Sequence, residues 1–191
     1  MPEPPLSQKM RIIAGTLKGR KLTPPKDESS RPTADRAREA LFSILTSRGA
    51  LTEGMRVLDC FAGTGALGLE ALSRGAAHAS FIELHPEALS VIRSNVYALG
   101  VEKTATVIKA DAVKPPRADA PCDLVFLDPP YRKDLVAPCL TALTRSGWVV
   151  PGTTVVAEIA KDETVELPYG FSIEDDRRYG AARILILSVD R

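Results

Sequence analysis

Histidine and cysteine are scarce in this chain. Its 191 residues contain only His78 and His85, with Cys60, Cys122 and Cys139, and none of the five falls in CxxC spacing or in a cluster. Structural and catalytic metal sites need such ligands at close fixed intervals, so no metal is expected. Three scattered thiols also give no disulfide framework, and they read as reduced thiols in or near the core. No stretch approaches the roughly 18 uncharged apolar residues of a membrane span. The opening "MPEPPLSQKMR" has no apolar signal core, so a cytoplasmic protein without membrane contact is expected. Internal repeats and low-complexity tracts are missing too.

What is present is an apolar content of 45%, enough for one sizeable core. The net charge of +1 conceals an asymmetry: residues 1–48 carry ten Lys/Arg against five Asp/Glu, and the remainder fifteen against nineteen. A basic first quarter on a mildly acidic body suits contact with a polyanion, although an ordinary solvated surface reads the same way on charge alone.

Residues 1–10 read as a flexible, proline-rich tail. "RIIAGTLKGRKL" (11–22) predicts two short strands turning at "LKG", a basic hairpin carrying Arg11, Lys18, Arg20 and Lys21. "RPTADRAREALFSILTSRG" (31–49) predicts a helix with Thr33 as N-cap. Ala37, Leu41, Ile44 and Leu45 form its apolar face, and Arg36 and Arg38 project elsewhere.

From residue 55 short apolar runs alternate with amphipathic segments. Strands are expected at 55–60, 78–84, 105–111, 122–128, 153–159, 172–178 and 182–189, and helices at 66–75, 86–99 and 132–147. The alternation predicts an α/β fold: a mainly parallel sheet with helices on both faces, ending in an antiparallel hairpin.

The first strand runs into "DCFAGTGALGLEAL", which places Gly63 and Gly65 in a tight strand-to-helix turn where a ligand can approach the backbone. "GTGALG" also satisfies GxGxxG, so a dinucleotide-dependent dehydrogenase is a candidate. The acids weigh against it. Asp59, Glu83, Asp111 and Asp128 close the first four strands, and in a parallel sheet those ends line the ligand crevice.

An acidic crevice favours a sulfonium over a pyrophosphate, and each acid suits a part of S-adenosylmethionine. Asp59 can position the methionine ammonium, Glu83 can accept both ribose hydroxyls, and Asp111 can accept the adenine amino proton while Ala112 N–H donates to the ring. Phe61, Ala62, Thr64 and Leu84 flank these positions, and Asp128 borders the same cofactor.

"DPPY" follows the fourth strand. Prolines there fix φ and lack donors, so the Pro129 carbonyl can be held toward a bound group, with Pro130 stiffening the turn. A nucleobase amine is a poor nucleophile because its lone pair is delocalised into the ring. If Asp128 and the Pro129 carbonyl hold its two hydrogens, the lone pair turns toward the methyl, and Tyr131 can stack on the base.

These motifs resemble class I S-adenosylmethionine-dependent methyltransferases of the amino-methylating group that uses [DN]PP[YFW]. More narrowly, "RIIAGTLKGRKL", "RPTADRAREALFSIL", "DCFAGTGALGLEALSRGA", "DPPY" and "YGAARILIL" resemble the RsmD family of 16S ribosomal RNA (guanine-N2)-methyltransferases.

The resemblance implies a Rossmann-like seven-stranded methyltransferase sheet (51–191) with a small N-terminal hairpin and helix extension (11–50). It implies S-adenosylmethionine as cofactor and, as substrate, one guanine of 16S ribosomal RNA in an assembled or partly assembled small subunit. Cys60 and Thr64 depart mildly from the family pattern, and Tyr131 stands where Phe is common.

Phosphate contacts would come from Arg11, Lys18, Arg20, Lys21, Arg31, Arg36 and Arg38, of which Arg31 and Arg36 could equally brace the helix. Nothing demands a dimer, so a monomer is expected. The rivals are methylation of DNA adenine or cytosine, of a protein glutamine, or a non-catalytic RNA-binding subunit. A chain this short has little room for a DNA target-recognition domain, and a glutamine enzyme would more often carry Asn at position 128.

Overall fold

The computed structural model describes residues 10–24 and 32–190. Seven strands, β1 (Arg56–Cys60), β2 (His78–Glu83), β3 (Ala105–Lys109), β4 (Leu124–Leu127), β5 (Thr154–Ala160), β6 (Phe171–Tyr179) and β7 (Ala182–Val189), form one sheet in the order β3-β2-β1-β4-β5-β7-β6. The first five are parallel, while β7 runs antiparallel to both β5 and β6. The helices are α1 (Pro32–Ser47), α2 (Ala66–Ser73), α3 (Pro86–Leu99) and α4 (Val136–Arg145).

Crossovers between parallel strands need a covering helix, and strands covered on both faces must be apolar throughout. β4, "LVFL", is buried at every position. On one face Val57, Phe81, Phe126 and Val156 meet Leu41, Phe42 and Leu45 of α1, Leu69 of α2 and Ile92 of α3. On the other, Leu58, Ile82, Val125 and Leu127 meet Cys139, Leu140 and Leu143 of α4 with Trp148. The chain therefore changes sides between β1 and β4, the switch point where an open parallel sheet makes its crevice.

Cys60, Cys122 and Cys139 are all buried and free, and burial pushes the Cys122 and Cys139 thiols up to about 12. Among the described residues no helix is long and apolar enough to cross a membrane.

Three expectations change. The N-terminal hairpin turns where expected, with Gly19 at φ of 81° and the N–H groups of Ile12, Gly19 and Leu22 bonded to Arg20, Ile12 and Met10, but it forms a single bridge, Arg11 to Lys21, in place of two strands. Its next donors go elsewhere: Ile13 and Ala14 give their N–H groups to the Glu70 carboxylate at 2.9 and 3.0 Å, and Thr16 N–H goes to the Ser73 carbonyl at 2.8 Å. The segment is laid on α2 so closely that a Cβ at Gly15 would fall 1.9 Å from the Ser73 carbonyl oxygen.

The fourth helix begins at Val136, later than the expected 132, because Arg132 and Asp134 hold positive φ of 57° and 51° and prolong the loop. The apolar face of α1 includes Phe42, fully buried, and with it Arg38 at i−4. The sixth strand is complete, with a register shift between Ile173 and Asp175. The expected tail, Arg31 and the Thr33 cap lie outside the described residues or side chains.

Candidate active site

The glycine turn and the "DPPY" loop leave neighbouring strands. Cys60 pairs with Leu127 across β1 and β4, and Asp128 N–H reaches the Cys60 carbonyl at 3.5 Å. Gly63 and Gly65 adopt φ of 57° and 78°, a region that L side chains enter only at a cost. A Cβ at Gly63 would meet nothing nearer than the Phe61 carbonyl oxygen at 3.9 Å, so the turn presents open backbone to a ligand. Gly68 serves packing instead, since a Cβ there would lie 2.4 Å from the Phe81 ring, and its absence lets α2 sit tightly on β2.

The four acids are not equivalent. Cys60 shares a row with Ile82 and Leu127, which places Glu83 and Asp128 one step above that row, at the rim, and Asp59 one step below it. Asp59 is only 1% exposed, and its Oδ2 accepts the Gly68 N–H at 3.0 Å. Gly65, the N-cap of α2, has no side chain to cap with, so Asp59 supplies the missing acceptor from below. Burial drives its carboxyl well above the usual range, against the pull of the Gly68 N–H, and the charges of Asp128 and Glu83 add to the rise. Asp59 thus supports the turn through Oδ2, from a position one step below the expected rim.

Glu83 joins the turn to the end of β2. Its Oε2 accepts Gly63 N–H at 3.0 Å, and its Oε1 accepts the Leu84 and His85 N–H groups at 2.8 and 2.9 Å. Asp111 accepts Val113 N–H at 3.0 Å in a local turn, beside the buried Ala112. Phe61 and Ala62 lie within the glycine turn, Phe61 with φ of 57°, and Leu84 is exposed at the rim. Thr64 is buried, and its carbonyl accepts from Asn95 of α3 at 3.0 Å.

In the "DPPY" loop Asp128 is exposed, Pro129 buried and Pro130 exposed. The Tyr131 hydroxyl donates to Glu158 Oε1 of β5. Burial raises the phenol above its usual range and the Glu158 carboxylate adds to this, so the hydroxyl stays a donor.

Of the basic residues, Arg11, Lys18, Arg20, Lys21 and Arg36 are exposed. Arg20 is partly committed, since its Nη2 donates to the Ala98 carbonyl at the end of α3. Arg38 does not belong with them: it is 7% exposed and donates to the Arg11 carbonyl at 2.6 Å and to Asp35 at 3.1 Å. It braces the basic segment against α1. Among the described residues no cluster of His, Cys, Asp or Glu could hold a metal ion.

Glu70, Asn95 and Glu158 escaped the sequence reading. Glu158, the single acid inside the apolar run "VVAEIA", was the most visible of them.

The family described as "Conserved hypothetical protein 95" matches residues 10–188. A relative in Haemophilus influenzae, "Ribosomal RNA small subunit methyltransferase D", is 35% identical over 175 residues, covering 90% of this chain and 89% of its own. The chain belongs to the RsmD family. A solved structure of an Escherichia coli protein, yhhF, shares the family architecture with a TM-score of 0.81 at 30% identity, covering 96% of this chain and 99% of that one. More distantly, magnesium protoporphyrin IX methyltransferase from Synechocystis PCC 6803 has a TM-score of 0.62 at 16% identity, covering 83% of this chain and 80% of that one, which places the RsmD sheet in the wider methyltransferase fold.

Proposed function

We propose that the chain transfers a methyl group from S-adenosylmethionine to the exocyclic N2 amine of a guanine in small-subunit ribosomal RNA, acting as a cytoplasmic monomer. The observation that carries this reading is adjacency. The open glycine turn after β1 and the Asp128-Pro129-Pro130-Tyr131 loop after β4 stand side by side at the switch point.

The donor set suits the cofactor: open space beside the Gly63 backbone, the Glu83 carboxylate at the rim for a ribose, and Asp111 with Ala112 for an adenine. S-adenosylmethionine supplies an electrophilic methyl on a sulfonium sulfur. Asp128 and the Pro129 carbonyl accept the two amine hydrogens and aim the lone pair, and Asp128 offsets the positive charge that develops on nitrogen. Tyr131 stacks on the base after it leaves its own stack. No strong base is needed, because the methylated amine is acidic while cationic and loses its proton late.

Residues 11–50 would grip the RNA and residues 51–191 would carry the chemistry. The test is incubation with labelled S-adenosylmethionine and, in parallel, small subunits, naked 16S RNA, DNA and a release factor, all from cells lacking the modification. Label is expected on a guanine N2 in the RNA of the subunit. Label on DNA or protein alone would overturn the reading.

A second expectation concerns the basic segment. Reversing charge at Arg20 and Lys21 should weaken subunit binding and flatten its dependence on salt by about two units of slope. Cofactor affinity, measured by calorimetry, should stay unchanged, whereas an unaltered salt slope would place the RNA elsewhere.

A further inference from the structure

The loop that carries Tyr131 follows β4, yet β5 and the turn beyond it hold the loop in place. Tyr131 donates its hydroxyl to Glu158 on β5. One residue later, Arg132 N–H donates to Glu163 Oε2 at 3.1 Å, and the Arg132 guanidinium donates to both oxygens of Asp162 at 2.8 and 3.1 Å. Glu163 Oε2 also accepts the Ala160 N–H at 3.1 Å, which ties that acid to the end of its own strand. Three carboxylates from β5 and its following turn thus grip two consecutive residues of the loop.

The grip coincides with strain. Arg132 and Asp134 both sit at positive φ, 57° and 51°, without being glycine. Conformations of that kind persist only where surrounding contacts over-determine them, and they gather where a side chain must be presented in one orientation. Tyr131 is 36% exposed, so packing covers only part of its ring, and the Glu158 bond is its polar tether.

We propose that Glu158 is a positioning residue for the methyl transfer: it fixes the Tyr131 ring as a preset face on which the extruded guanine stacks. This rests on the reading that Tyr131 contacts the substrate base. A ring held in one orientation before the base arrives loses less rotational freedom on binding, and the gain appears where geometry matters most, in the transfer step. Asp162 and Glu163 hold the loop on which the ring stands, while Glu158 sets the ring itself. A phenylalanine at position 131 would have to be oriented by packing alone.

The test is a double-mutant cycle on the full chain with small subunits as substrate. Glu158→Ala and Tyr131→Phe each remove the bond from one end and should each lower kcat about tenfold, the lower range for a hydrogen bond to a charged group. The double variant should be no slower than either single one, because both remove the same interaction. Glu158→Gln keeps a carbonyl acceptor for the phenol and should recover most of the rate. Cofactor affinity should not change in Tyr131→Phe, and its denaturation midpoint should fall by no more than the loss of one hydrogen bond, which separates positioning from a general loss of structure.

Wild-type kcat in both Glu158→Ala and Tyr131→Phe would overturn the proposal, and so would strictly additive losses in the cycle. Tyr131→Ala separates the two layers of argument. If it is inactive while Tyr131→Phe is fully active, the stacking reading stands and the tether falls. If Tyr131→Ala is itself fully active, the stacking reading falls and takes the proposal with it.

Discussion

Asp128→Ala should bind S-adenosylmethionine with near-normal affinity and transfer almost nothing, with single-turnover rates down about 10²–10³-fold or more. Asp128 lies at the rim beside the open glycine turn, while the contacts that shape that turn come from Glu83, Asp59 and Asn95. On the proposed mechanism its removal takes one of the two acceptors from the target amine, together with the charge that balances the nascent ammonium, and keeps the Glu83, Asp59 and Asn95 bonds in place. Asp128→Asn, which keeps an acceptor oxygen but no charge, should fall between the two. Calorimetry for the cofactor and rapid-quench label transfer for the chemistry would read both halves, and full transfer by the alanine variant would remove the proposed amine acceptor.

Glu70→Ala should destabilise the fold by about 3–5 kcal/mol. Glu70 is completely buried, and its two oxygens accept Ile13 N–H, Ala14 N–H and Arg74 Nε at 2.9–3.0 Å. The variant would orphan two backbone donors and leave the Arg74 guanidinium, which sits 4.8 Å over the Phe42 ring, without its carboxylate. Beyond a lower denaturation midpoint, amide exchange at Ile13 and Ala14 should become fast while the amides of β4 stay slow. A loss below about 1 kcal/mol would mean that the basic segment is held by something other than this carboxylate.

Most of the frame was legible because local patterns sufficed. Apolar runs such as "DLVFL", too short for a helix and closed by prolines, fit strands buried on both faces, and β-α alternation leaves a parallel sheet as the arrangement that covers them. The place of "DPPY" followed from strand order alone. Contacts across long sequence separations were harder, because they depend on which face meets which. Asp59 looked like a rim acid, yet its register with Phe81 puts it below the rim, where Gly68 N–H needs an acceptor. Arg38 could have been caught: at three and seven residues before Leu41 and Leu45 it shares their buried stripe, and only its charge argued for solvent. Nothing local signalled that the hairpin donors of Ile13 and Ala14 would be claimed by an acid 57 and 56 positions away.

Asn95 gives these separations a thermodynamic meaning. Its amide accepts Thr23 N–H at 2.7 Å through Oδ1, and through Nδ2 it donates to the Thr23 and Thr64 carbonyls at 3.2 and 3.0 Å. One buried side chain thus closes the end of the basic segment and the cofactor turn together. Detaching the segment would strand the Asn95 amide and the Glu70 carboxylate without these partners, so the two parts should melt as a single cooperative unit. Whatever clasps the segment from outside also favours the closed turn, and a ligand on the turn favours the docked segment in equal measure. On the proposed function, RNA on the segment and S-adenosylmethionine at the turn would then each raise the other's affinity, while an exposed charge that leaves the docking bonds in place alters the first affinity alone.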